Sequence, residues 1–233
     1  MEYHLAETYL EGAVLLIDKP LEWTSFDVVN KIRQSLKHHL GIKKIKVGHA
    51  GTLDPLATGL VIVCTGKATR QITRFQELEK EYEAAMRLGA TTPSFDLETE
   101  IDALHPWEHI TLPMVGQVLK RFTGDMEQLP PVFSAKNVAG KRAYEMARKG
   151  KPVELKRQPV QIHHLELLSY HPPVLSIKVI CSKGTYIRAL ARDLGAALGS
   201  GAHLTRLRRT RIGSYHVNEA TSLENFSKKL KLL

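Results

Sequence analysis

Cysteine is scarce in this chain, with two in 233 residues, Cys64 and Cys181. Both lie in apolar runs rather than beside histidines. That excludes a disulfide scaffold and a zinc site of usual spacing, and it reads as two reduced core thiols of a cytoplasmic protein. No apolar stretch is long enough for a membrane span, and the first residues lack the basic flank and apolar core of a secretory leader. Internal repeats and low-complexity segments are missing as well. A phosphate-cradling loop is excluded at Gly66-Lys67, because Val61 and Ala68 stand where glycine and Ser or Thr are required. The pairs His38-His39 and His163-His164 place neighbouring rings on different faces and read as polar surface, so no metal is assigned.

What the chain does have is core material and positive charge. A hydrophobic content of 43% over this length supports one large domain, taken as residues 1–233. The net charge of +9 favours a polyanionic partner. Its distribution is uneven. Residues 136–157 hold eight Lys/Arg against Glu145 and Glu154, whereas residues 76–102 hold eight acids against Lys80 and Arg87. This segregation suggests one face for phosphates and another for solvent.

Periodicity predicts a strand at 14–17 and then a helix capped by Ser25, with Val28, Val29, Ile32, Leu36 and Leu40 on one face and Gly41 as its stop. The run 60–64 reads as a buried strand. Tyr82, Ala84, Met86 and Leu88 alternate as one face of another. A helix is predicted over 111–122, a short one over 143–149, and strands over 161–168 and 174–181. Thr185 is read as the cap of a helix carrying Ile187, Leu190, Ala191, Leu194 and Leu198. Strands at 203–209 and 211–217 and a last amphipathic helix complete the chain. Strands and helices mix without strict alternation, which argues for an α+β fold.

The densest signal is Gly48-His-Ala-Gly-Thr-Leu-Asp-Pro-Leu-Ala-Thr-Gly59. It sets one carboxylate, Asp54, between turn-formers and directly before a buried strand. Taken alone, an Asp-Pro turn is an ordinary surface feature. An acid on a stiff loop at the mouth of a sheet is also where chemistry is commonly placed.

The same twelve residues resemble the GTLDP-x-ATG segment of the TruB family of tRNA pseudouridine synthases. Five further segments resemble that family in order. They are Asp18-Lys19-Pro20 with Thr24-Ser25; Lys80-Glu81-Tyr82; Pro130-Pro131 with Ser134-Ala135 and Gly140 to Glu145; Cys181 to Arg188; and Gly201-Ala202-His203 through Leu207-Arg208-Arg209. Together they span roughly residues 13 to 213. The resemblance implies the pseudouridine synthase fold, a mixed and mostly antiparallel sheet flanked by helices. It also implies isomerisation of uridine 55 in the T-loop of tRNA, in a form lacking a C-terminal PUA domain. Net redox change is zero in that reaction, so no cofactor is expected.

By this correspondence the catalytic residues are Asp54, Arg188 and Tyr82. Asp54 acts either on the sugar or base carbon or by removing a ribose proton, and both routes stay open. Arg188 would pair with the aspartate and fix its orientation. Tyr82 would stack on a flipped base, with Tyr186 and Leu207 as further pocket wall. His49 would fill the space left by the displaced nucleotide. Asp96 is either a site residue or a turn stabiliser, and Lys19 is read as a brace for the Asp54 loop. Residues 121–151 correspond to an RNA-binding loop insertion, with Lys136, Lys141, Arg142 and Arg208 as phosphate contacts, and Arg206, Arg209 and Arg211 as possible additions to that surface.

The expected partner is the T-arm of tRNA, bound by a monomer in the cytoplasm, with no membrane and no guide RNA. Two departures stand out. Glu22 replaces the usual glycine of the first motif, where glycine would permit positive φ, and Asn137 stands where lysine is frequent. The rival reading is a catalytically silent tRNA-folding chaperone on the same scaffold.

Overall fold

The computed structural model describes residues 2–41, 43–134, 136–138, 140–143, 146, 149, 152 and 154–231, and for residues 2–5, 137, 138, 141 and 142 the backbone alone. The chain forms two compact units, one from Met1–Tyr82 with Arg208–Leu233 and the other from Glu83–Leu207. The fold class is α+β, as the mixed order of elements predicts.

In the first unit the strands run in the order Thr221–Ser222, Val14–Lys19, Ala57–Thr65 and then the 208–212 end of Ala202–Ile212. Val14–Lys19 is parallel to Thr221–Ser222 and antiparallel to Ala57–Thr65, and Val47–His49 also pairs antiparallel with Ala57–Thr65. Residues Leu60 to Cys64 are all without solvent exposure. A continuous apolar run rather than an alternating one is what a strand covered on both faces requires. Ala50, Leu60, Ile62, Cys64, Ala68, Phe75 and Ile212 pack as one core cluster. Burial pushes the Cys64 thiol up to about 11, and both cysteines are buried and outside any disulfide, so they are core residues as read.

Helix Ser25–Leu40 buries Val28, Val29, Ile32 and Leu36 and ends at Gly41, whose φ of 62° is the left-handed stop its position predicts. Its cap is Thr24, not Ser25. The Thr24 hydroxyl accepts from Asp27 N at 3.0 Å, and Asp27 Oδ2 accepts from Thr24 N at 2.9 Å. This reciprocal box leaves the Ser25 hydroxyl available elsewhere. The helix Glu2–Gly12 has no counterpart in the sequence reading, because its few apolar residues do not mark a face.

In the second unit, strand Lys80–Leu88 from residue 83 onward is followed by Val174–Cys181, Gln158–His171 and Gly124–Gln128. Gln158–His171 is antiparallel to both neighbours and extends beyond the predicted 161–168. Helices Leu112–Arg121 and Ile187–Ala197 belong to this unit. The first matches its prediction. The second is not capped by Thr185, whose hydroxyl donates to Ser182 O at 3.0 Å and closes the preceding turn. The predicted helix over 143–149 falls mostly outside the described residues.

The two short strands expected at 203–209 and 211–217 are one continuous strand, Ala202–Ile212, which then folds back at Gly213 onto Tyr215–His216. The alternating arginines end no strand because each finds a partner. Arg211 lies 2.8 Å from Glu79 and 3.5 Å from Glu81, and Arg206 lies 3.7 Å from Glu83. These glutamates therefore neutralise arginines instead of forming a separate solvent face. The Arg211 pairs are mostly buried and hold more firmly than the exposed Arg206–Glu83 pair.

Candidate active site

In the first unit, Asp54 sits on a loop clamped from three directions. The Ala57 amide donates to Asp54 O at 3.0 Å, closing the turn ahead of the buried strand. From the helix side, the Leu53 amide donates to Ser25 Oγ at 2.9 Å, the bond made possible by capping through Thr24. From the sheet side comes Arg209, only 1% exposed. Its Nε donates to Leu60 O at 2.7 Å, and its terminal nitrogens donate to Thr52 O at 3.4 Å and Gly51 O at 3.3 Å. Gly59 permits this approach, since a Cβ there would lie 2.2 Å from Arg209 O and its φ is 107°.

Lys19 supplies the third clamp, as its sequence position suggested. The side chain has no exposure, and its ammonium donates to Trp23 O at 2.6 Å, Pro20 O at 2.9 Å and Pro55 O at 3.3 Å. Burial pushes its pKa down to about 8. The charge of Asp54 works against that fall, and Arg209 adds to it. Lys19 thus shares the electrostatic environment of Asp54.

Glu22 departs from glycine yet adopts φ 66°, keeping the turn that glycine would have allowed. Its amide donates to Pro55 O at 2.9 Å. His49, at the end of Val47–His49, is half-buried. Burial lowers its pKa, with Arg209 in the same direction and the Gly51 backbone opposing, so the ring is neutral at pH 7. Tyr82 is 8% exposed and shares the buried face of its strand with Ala84 and Met86, as the alternation predicts.

In the second unit, Arg188 lies in the first turn of helix Ile187–Ala197 and is 4% exposed. Its guanidinium lies 3.6 Å from Asp96 Oδ2 and donates to Phe133 O at 2.8 Å and Ser94 O at 3.2 Å. Asp96 also accepts from Glu98 N at 2.9 Å, so it shapes its own turn as well as facing Arg188. Tyr186 is fixed through its backbone. Its amide donates to Gln128 Oε1 at 2.8 Å, and Gln128 Nε2 returns a bond to Tyr186 O at 3.1 Å. Leu207 is 8% exposed. Lys136 donates to Gln158 Oε1 at 2.9 Å. Lys141 and Arg142 form one strand of a two-stranded ribbon, and their side chains lie outside the described residues.

These observations match a known arrangement of sequence segments. A profile described as TruB family pseudouridylate synthase (N terminal domain) matches residues 37–187, and one described as tRNA pseudouridylate synthase B C-terminal domain matches 188–232. The chain belongs to the TruB family. It is 62% identical over 218 residues to "tRNA pseudouridine synthase B" of Phocaeicola vulgatus, covering 94% of this chain and 93% of that protein. It is 51% identical over 226 residues to the protein of that name from Flavobacterium johnsoniae, covering 97% and 99%.

Among solved structures, a Cbf5-Nop10-Gar1 complex aligns with a TM-score of 0.70 at 29% identity, covering 96% of this chain and 56% of that one. An H/ACA RNP bound to a substrate RNA containing 2'-deoxyuridine gives 0.69 at 27%, covering 97% and 55%. The chain spans a little over half the length of those solved chains. Its fold is that of the pseudouridine synthases, a mixed sheet, mostly antiparallel, flanked by helices.

As a TruB-family chain it is a pseudouridylate synthase, an isomerase. Three residues, Arg209, Gln128 and Ser25, have structural parts that the sequence reading did not assign them. Arg209, read as a possible surface cation, is a buried clamp. The available signal was that two adjacent strand arginines must face opposite sides. Its neighbour Arg208 lies 2.7 Å from Asp18 Oδ2, half-exposed. The parts played by Gln128 and Ser25 had no local signal, since both bond partners distant in sequence. Among the described residues no cluster of His, Cys, Asp or Glu is placed to hold a metal ion, and no helix is long and apolar enough to cross a membrane.

Proposed function

We propose that this chain converts uridine 55 in the T-loop of tRNA to pseudouridine. The observation that carries this reading is Asp54 itself. It is a carboxylate on a loop whose backbone is held by Arg209, Lys19 and Ser25, in a chain sharing 62% identity with a tRNA pseudouridine synthase B. The target nucleotide is drawn out of its stack, because the glycosidic bond is otherwise out of reach. Tyr82 stacks on the base, Tyr186 and Leu207 wall the pocket, and His49 occupies the vacated space as a neutral ring. Asp54 attacks the sugar or base carbon or takes a ribose proton, and Arg188 steadies the charge it carries. Asp96 faces the Arg188 guanidinium as its counter-charge.

The N-glycosidic bond breaks, the base turns over and a C-glycosidic bond forms, with no net change in atoms or electrons. The chain therefore needs no cofactor or metal for the chemistry. Lys136, Lys141, Arg142 and Arg208 contact phosphates of the T-arm, the first three from the 121–151 insertion of a single catalytic domain. The reading places a monomer in the cytoplasm, acting on tRNA without a guide RNA.

The test is to map pseudouridine in T-arm transcripts treated with wild type and with Asp54→Ala. Product at the T-loop uridine with wild type alone supports the assignment. Product at another uridine redirects the substrate, and product with Asp54→Ala removes the aspartate from its role.

A further inference from the structure

The turn that follows Lys19 and the first helical turns after it enclose an open groove of about 490 Å3, lined by Glu22, Trp23, Asp27, Asn30, Lys31 and Gln34. None of these residues has a part in the chemistry above. Asp27, Asn30, Lys31 and Gln34 recur at the three- and four-residue spacing that puts them on one side of helix Ser25–Leu40. Asn30, Lys31 and Gln34 are exposed, and Trp23 is half-buried with its carbonyl fixed by Lys19. The groove is tied to the Asp54 loop through the Glu22 amide on its rim, which bonds Pro55 O, next in sequence to Asp54. Glu22 holds this place at φ 66°, a conformation side-chain-bearing residues rarely adopt. Strain of that kind persists where the surrounding structure uses it.

The lining chemistry selects the occupant. Two carboxylates against one ammonium disfavour a phosphate, and Asp27 is kept ionised by the two bonds it accepts from Thr24. An indole wall beside two primary amides and an acceptor-only carboxylate suits a flat, neutral ring with donors and acceptors on its edge. Asn and Gln amides read base edges, and aromatic faces stack unpaired bases. We infer that this groove takes one unpaired nucleobase of the RNA whose uridine is presented to Asp54. It would stack on Trp23, with Asn30, Gln34 and Glu22 on its edge. This inference rests on the reading that RNA is the substrate. It adds a second point of base recognition on the first unit, independent of the basic 121–151 segment.

Trp23 is one of two tryptophans, so its emission reports directly on the groove. A T-arm stem-loop transcript titrated into wild type and Trp23→Phe should quench an emission component present in wild type alone. Asn30→Ala combined with Gln34→Ala, at exposed helical positions where alanine is well tolerated, should raise KM for the transcript on the order of tenfold. The loss should fall on KM rather than kcat, and replacing the bound nucleotide with an abasic one should reproduce it in wild type. Pseudouridine formed by wild type without quenching, and with KM unaltered in the double variant, overturns the groove and leaves the proposed function standing. Quenching without pseudouridine supports the groove and overturns the proposed reaction instead.

Discussion

Lys19, wholly buried, donates its ammonium to the carbonyl oxygen of Pro55, the residue that follows Asp54 in the chain. The Asp54 loop is thus braced by a buried lysine as well as by Arg209. Its pKa of about 8 against a usual 10.5 makes the contact pH-dependent. Between those values the folded chain has released the proton and the unfolded chain still holds it. Stability therefore rises with pH across that window, and the penalty is fully present below about pH 8. Relative to Lys19→Met, wild type should gain up to about 3 kcal/mol between pH 8 and 10.5. Urea unfolding of both proteins at pH 7.5 and 9.5 measures this, and parallel pH profiles would refute it.

Arg209→Met should remove donors from Leu60 O, Thr52 O and Gly51 O together. Hydrogen bonds from a charged group in such burial make a loss of about 3 kcal/mol the expectation. Arg209→Lys should recover only part of it, because one ammonium nitrogen cannot stand in for Nε and both terminal nitrogens, each of which bonds a different carbonyl. Denaturation midpoints check the stability. A single-turnover assay checks the companion expectation, a slower reaction with RNA binding retained.

Arg188→Lys should slow the single-turnover rate on the order of a hundredfold, while the transcript binds within about threefold of wild type. The guanidinium serves Asp96, Ser94 O and Phe133 O at once, and lysine cannot hold that plane. Rate and affinity measured on the same preparation separate the two effects. Equal rates would remove Arg188 from the chemistry.

Glu22→Gly should alter stability by less than about 0.5 kcal/mol. Relief of the left-handed backbone, worth about 1 kcal/mol, is offset by the greater freedom of glycine in the unfolded chain. Glu22→Val, branched at Cβ, should cost at least 1 kcal/mol. Chemical denaturation of the pair decides whether the turn is strained as its φ indicates.

Local patterns foretold local structure. The buried run 60–64, the alternation through Tyr82 and the left-handed stop at Gly41 all follow from spacing that a short window contains. The Thr24/Ser25 choice was finer, since both residues can cap, and only the Asp27 partner three residues beyond Thr24 decides it. Where the sequence predicts strands at 203–209 and 211–217, the chain runs as one strand, Ala202–Ile212. Glu79, Glu81 and Glu83, more than a hundred residues earlier, supply the missing counter-charges. The site behaves likewise. The bracing of the Asp54 loop by Lys19 could be read from its motif, whereas Gln128 on the Tyr186 backbone depends on a pairing that no neighbouring residue announces.

The Arg209 clamp has a consequence for synthesis on the ribosome. Residues 51, 52 and 60 emerge early, yet the guanidinium that bonds them is translated some hundred and fifty positions later. A nascent chain that has not reached this arginine lacks the brace of its Asp54 loop, so the backbone around that acid is fixed only once residue 209 has been added.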